Sequence, residues 1–281
     1  FDPVGEDPAP FDREYPPRLA ETIFDLEGAG MNAIVYEAQG LGPHPTVVLL
    51  HGFPGNEKNL DLAQAIRRGG WNVVFFHYRG SWGSGGQFSF VHVLEDVARV
   101  VEAISLPAFA TAHRIDPTRI ALVGHSMGGF AALVSGAELE TVDCVVSLAG
   151  GNIGGLAKAM QSSPEQVATM AETLDGWSGP LKGASGAEWI AELAADLDRF
   201  DTTTHADVLS QMPLLLIAGQ RDQVTPVALH HDPMVAALRA ASAASLDVEV
   251  FAQADHSFSG QRIALARRVT RWLESDCGAP D

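Results

Sequence analysis

A chain of 281 residues, 46% apolar and 19% charged, has the balance of a soluble globular protein and the length for one large core. Its formal charge of −17 repels phosphate backbones and anionic headgroups, which argues against a nucleic-acid or membrane partner. No apolar run reaches the roughly 18–20 residues that a membrane-spanning helix needs, so no span is expected.

Residues 1–18 carry Pro3, Pro8, Pro10, Pro16 and Pro17 among acidic side chains, a composition that predicts an extended arm. The chain starts at Phe1 with no signal-like apolar stretch, which suits either a removed targeting segment or trimming and leaves cytoplasm and export both open. Strands are predicted at 22–26 and 32–37, joined as a hairpin through Gly28-Ala29-Gly30, and then at 46–50, 72–77, 119–123, 143–148, 213–218 and 246–251. From 46 onward most are continuous apolar runs, as expected where helices cover both faces of a parallel sheet. Helical patterns at 59–68, 91–104, 127–137, 226–241 and 260–274 alternate with them. The alternation predicts an α/β fold: eight strands, mostly parallel, flanked by helices, with ligands outside the carboxyl ends of the strands. Residues 151–212 break the rhythm, being too long for an ordinary connection. They contain helical stretches at 164–174 and 187–197 with Trp177 and Trp189, and predict a helical cap or lid inserted into a core of 19–150 and 213–276. Cys144, in an apolar run, reads as a buried thiol and Cys277, in a polar tail, as an incidental one; their separation makes no disulfide framework or metal motif, and a single bridge stays open.

Chemistry concentrates at Gly124-His125-Ser126-Met127-Gly128, between an apolar strand and a helical stretch. A G-x-S-x-G pattern gains its meaning from that context, because a nucleophile elbow needs strand, sharp turn and helix in order. A serine hydroxyl needs a base, and the base needs a group to orient it. Asp222 follows one predicted strand and His256 the next, so acid and base arrive at the same sheet edge as Ser126, in the order serine, acid, histidine. Asp255 is set aside as the acid because neighbouring loop side chains diverge. Asp201 and Asp207 read as solvated, and His230 and His231 as surface-helix residues. Oxyanion donors are expected at the backbone N–H of Met127 and, from His51-Gly52-Phe53-Pro54-Gly55, of Phe53, since Pro54 has none. His51 reads as a structural hydrogen-bonder.

These residues resemble the α/β-hydrolase superfamily from about Thr22 to Leu273. Asp116-Pro117 before the elbow, and Tyr78-Arg79-Gly80-Ser81 with Gly83 and Gly85, look like its prolyl oligopeptidase and dienelactone hydrolase branches. His77 stands where such sequences often have an acidic residue. The resemblance implies an acyl-enzyme, with Ser126 as nucleophile, His256 as base and Asp222 orienting it, and no metal or organic cofactor. Serine at 126 points away from the dehalogenase and epoxide hydrolase branches, and departs from the cysteine of typical dienelactone hydrolases. The large propeller of the similar peptidases is absent from this sequence. The function expected is hydrolysis of a small carboxylic ester, with an amide hydrolase or aminopeptidase using the same triad, or a non-catalytic binding module, as alternatives. Nine acidic against three basic residues in 151–212 disfavour polyanionic substrates such as acyl-coenzyme A. Oligomeric state is not legible.

Overall fold

A computed structural model describes residues 1–277. Its eight-stranded sheet comprises β1 (Arg18–Leu26), β2 (Ala29–Glu37), β3 (His44–Leu50), β4 (Asn72–Phe76), β5 (Ile115–His125), β6 (Cys144–Leu148), β7 (Leu214–Gly219) and β8 (Leu246–Phe251), in the order β1-β2-β4-β3-β5-β6-β7-β8. The contacts β1–β2 and β2–β4 are antiparallel and all others are parallel. Strands β4, β6 and β7 are buried along their whole length, which explains why their sequences do not alternate. At the edge, β8 is half-buried except for the exposed Val250, and its polar Asp247 and Glu249 both pair with Arg268.

The connecting helices are α1 (Leu60–Arg68), α2 (Phe90–Ser105), α3 (Pro107–His113), α4 (Met127–Glu138), α5 (Ile153–Met160), α6 (Pro164–Trp177), α7 (Gly186–Ala195), α8 (Leu197–Phe200), α9 (Ala206–Leu209), α10 (Val227–Ala240) and α11 (Arg262–Trp272). Two apolar layers result. Helices α2, α4 and α10 fill one face of the sheet and α1 and α11 the other. Helices α5 to α9 lie within residues 151–212 and extend the first layer through Trp189, Ile190, Leu193 and Phe200.

Several expectations need correction. The hairpin turns at Glu27-Gly28, both with positive φ (54° and 83°), while Ala29 and Gly30 already belong to β2. The short helix α3, started by Pro107, has no apolar period to announce it. Asp201 is not solvated: it is buried, accepting from Asn152 at 2.8 Å and Lys158 at 2.9 Å. His230 and His231 are buried on the inner face of α10, His230 accepting from the Asn152 N–H at 2.9 Å. Cys144 and Cys277 are bonded to each other, with Cα atoms 5.8 Å apart, because the segment after α11 returns to the start of β6. Residues 1–17 form no helix or strand and lie along the body, held by Asp2–Arg267 and by Arg68 and Arg114 donating to Pro3 and Pro16 carbonyls.

Candidate active site

Ser126 stands between β5 and α4 with φ 59° and ψ −121°, a left-handed conformation that a serine adopts only when its surroundings impose it. Close packing imposes it here. A Cβ on Gly124 would lie 1.9 Å from the Gly128 carbonyl oxygen, and one on Gly128 would lie 2.2 Å from that of Leu50. The two glycines of the motif therefore let the incoming strand, the outgoing helix and β3 touch backbone to backbone.

Asp222 follows β7 and His256 follows β8, and the parallel order β5-β6-β7-β8 brings both to the end of the sheet where Ser126 sits. His256 Nε2 is 2.9 Å from Ser126 Oγ and its Nδ1 is 2.8 Å from Asp222 Oδ2. Asp222 is buried. Its Oδ1 accepts the N–H groups of Val224 and Thr225 at 2.8 and 2.9 Å, and its Oδ2 also accepts the Thr225 hydroxyl at 2.7 Å. Burial pushes this carboxyl up, but the hydrogen bond and charge of His256, with the Thr225 donors, outweigh it and hold the group at about 2. Asp222 is thus ionised at any pH near neutrality and fixes the His256 tautomer with hydrogen on Nδ1. That leaves Nε2 as the acceptor facing the serine hydroxyl.

A second layer steadies His256. His125 is buried in the elbow, and its Nε2 lies 2.7 Å from the His256 carbonyl oxygen. Burial, and then the charge of His256, lower His125 to about 4, so it stays neutral and acts as a donor to that carbonyl. Sequence reading missed both Thr225 and His125. For Thr225 a signal existed, since an aspartate three residues before a threonine invites a turn in which the carboxylate collects the following N–H groups.

The loop after β3 passes directly over the serine: a Cβ on Gly52 would lie 2.9 Å from Ser126 Cβ. Among the described residues neither the Phe53 nor the Met127 N–H donates to a protein acceptor, and Met127 opens α4, where the first amides are free. His51 is buried and lowered to about 3 by that burial; its Nδ1 meets the Gly52 carbonyl at 2.8 Å and its Nε2 lies 3.3 Å from His77 Nδ1. His77, also lowered by burial to about 4, stacks on Trp82 and does not reach Ser126 or His256. Asp255 points away and accepts the Ser259 N–H at 2.8 Å. Asp207 and Asp201 lie outside the cluster.

A cavity of about 340 Å³ opens beside Ser126 and His256, walled by Phe53, Pro54, Val224 and, from α6, Trp177. Trp177 and Val224 remain 45% and 44% exposed at its mouth. Among the described residues there is no cluster of three or more His, Cys, Asp or Glu side chains placed to hold a metal ion, and no helix is long and apolar enough to cross a membrane.

Comparison with known proteins adds three findings. The model of the Alpha/beta hydrolase family matches residues 47–268. YitV of Bacillus subtilis (strain 168), which carries a provisional esterase name, is 28% identical over 196 residues, covering 66% of this chain and 71% of that protein. Two solved structures share the fold. Est1E from Butyrivibrio proteoclasticus, solved with ferulic acid bound, superposes with a TM-score of 0.68 at 16% identity, over 92% of this chain and 100% of its own. The Pyrococcus horikoshii acylaminoacyl peptidase gives 0.67 at 14% identity, over 95% of this chain but 42% of its own.

Proposed function

The chain belongs to the Alpha/beta hydrolase family, and we propose that within it the protein is a serine esterase that cleaves small carboxylic esters through an acyl-enzyme. The observation that carries this reading is His256, hydrogen-bonded at 2.8 Å to an ionised, buried Asp222 and at 2.9 Å to the hydroxyl of an elbow serine.

In this reading Ser126 Oγ attacks the acyl carbon while its proton passes to His256 Nε2. The negative charge that develops on the carbonyl oxygen is met by the free amides of Phe53 and Met127. His256 returns the proton to the departing alcohol, leaving an acyl group on Ser126. Water then enters, loses its proton to His256 and releases the acid. Asp222 stays ionised throughout and stabilises the imidazolium. The esterase name of YitV, and a cavity walled by Phe53, Pro54, Val224 and Trp177 with the acidic Glu57 beside them, support an ester over a polyanionic substrate, and residues 151–212 serve as a cap that walls this cavity.

The test is turnover of p-nitrophenyl esters of graded acyl length by the unaltered protein and by Ser126→Ala, with fluorophosphonate labelling. Ester turnover lost by about 10⁴-fold or more in the variant, and a label on Ser126, are expected. A protein that neither turns over esters nor takes the label is not a serine esterase. An anilide of the same acyl group tests the amide alternative, which the shared fold of the acylaminoacyl peptidase keeps in view.

A further inference from the structure

We propose that Trp189, inside residues 151–212, and Trp82, which that segment holds through Pro180, together position the oxyanion donor of Phe53, so that this segment acts on the rate of the chemical step as well as walling the cavity. The inference rests on the serine-esterase reading above.

The loop over Ser126 has a built-in weakness. Its approach leaves no room for a Cβ at position 52, because the atom would sit 2.9 Å from Ser126 Cβ. Glycine is therefore required, and glycine is the residue that leaves the adjoining Phe53 amide freest to rotate. An oxyanion donor is useful only when it already points at the place where charge will develop. His51 Nδ1 holds the Gly52 carbonyl, the other end of that peptide group, at 2.8 Å, and two braces from beyond the loop add to this bond.

The first grips the Phe53 side chain. Its ring meets Phe88 at 5.5 Å, Phe90 at 6.1 Å and the indole of Trp189 at 5.4 Å, the last nearly perpendicular at 83°. Trp189 belongs to α7, is 2% exposed, and is locked by an Nε1–H bond of 3.2 Å to the Phe88 carbonyl. The second brace grips the next residue along the loop. Trp82 Nε1 donates to the Pro54 carbonyl at 2.7 Å, and the Trp82 backbone N–H donates in turn to Pro180 at 3.1 Å. Both braces end in residues 151–212. Further backbone bonds fasten that segment to the loop before α2: Lys182 to Gly80 at 2.7 Å, and Phe88 to Lys182 at 2.6 Å. Neither Trp189 nor Trp82 lines the cavity itself; they reach it only through Phe53 and Pro54, so their loss leaves its other walls, Trp177 and Val224, untouched. A wall contact would alter substrate affinity, whereas a brace on the donor alters stabilisation of the transition state.

The experiment compares a p-nitrophenyl ester with its thionoester, in which sulfur replaces the carbonyl oxygen and accepts amide hydrogen bonds poorly. Three variants are used: Trp189→Leu, Trp189→Phe and Trp82→Phe. The expected result for Trp189→Leu and Trp82→Phe is a fall of about tenfold in kcat for the oxoester, with KM within about twofold, and a matching fall in the oxoester-to-thionoester rate ratio. Trp189→Phe, which keeps an aromatic edge against Phe53, retains most of the rate. An unchanged ratio in a folded Trp189→Leu or Trp82→Phe, or an effect confined to KM, overturns the proposal. Should Trp189→Leu fail to fold, Trp82→Phe decides alone, since it removes one hydrogen bond and keeps a ring against His77. Failure of the esterase reading looks different, as the unaltered protein would then neither turn over the ester nor take the fluorophosphonate on Ser126.

Discussion

The sheet and the segment 151–212 are built on different physical terms. In the sheet, position is enforced by exclusion: strands buried on both faces, and glycines at 124 and 128 with another backbone where a Cβ would go. Nothing there can move far without a clash. In 151–212, glycines 154 and 186 also have backbone where a Cβ would go, but much of the rest is held by separate attachments. These are a capping box at Ser185–Glu188, the Asn152–Asp201–Lys158 cluster, the Arg199–Glu138 pair and the indole of Trp189. A region held by exclusion tolerates almost no change at a given point, whereas one held by attachments can lose them singly.

Three further measurements would break or sharpen that contrast. The largest effect is expected in the sheet half: Asp222→Asn should leave the fold intact but lower kcat by about 10⁴-fold, because an amide at that position favours the wrong His256 tautomer. A loss below about tenfold would mean that Asp222 does not orient the base. Next in size is acid sensitivity. His51, His77 and His125 are held at about 3, 4 and 4, below the ordinary 6.5, so the unfolded chain binds protons that the folded chain refuses. Their contribution to stability is complete above pH 6.5 and is lost as pH falls toward 3–4, at up to about 1.4 kcal/mol per pH unit for the buried His51 and His125 and less for the half-buried His77. Thermal midpoints from pH 7 to pH 4 should fall steeply, and His125→Gln should flatten the curve; parallel curves would contradict this. The smallest effect belongs to an attachment. Arg199→Ala removes a bidentate but one-third-exposed pair with Glu138 and should cost no more than about 1 kcal/mol, with ester turnover unchanged. A larger loss in urea unfolding would show the segment to be as tightly enforced as the sheet.

The same distinction decides what could be read from the sequence. The strand ends were legible because burial on both faces leaves continuous apolar runs, and the residues just past those ends, Ser126, Asp222 and His256, fall together once the runs are parallel neighbours. Contacts between residues far apart in sequence left no local trace. Asp201 reads as a solvated acid until Asn152 and Lys158 reach it. His230 and His231 read as surface residues because α10 carries no strong apolar stripe, yet its inner face packs on the sheet. The Phe53–Trp189 contact joins residues whose side chains reveal nothing about each other until the chain is folded. The Cys144–Cys277 bond likewise joins residues too far apart in sequence to announce it.

That bond has a topological consequence. It closes a covalent ring that begins at β6 and runs through the whole of α5 to α9, Asp222 and His256, and leaves Ser126 outside. A protease acting on the turns between those helices would open the ring at one point without releasing a fragment. The two pieces would part only when a reductant cuts the sulfur–sulfur link. Clipped protein would therefore run as an intact chain on a non-reducing gel and separate into two bands on a reducing one.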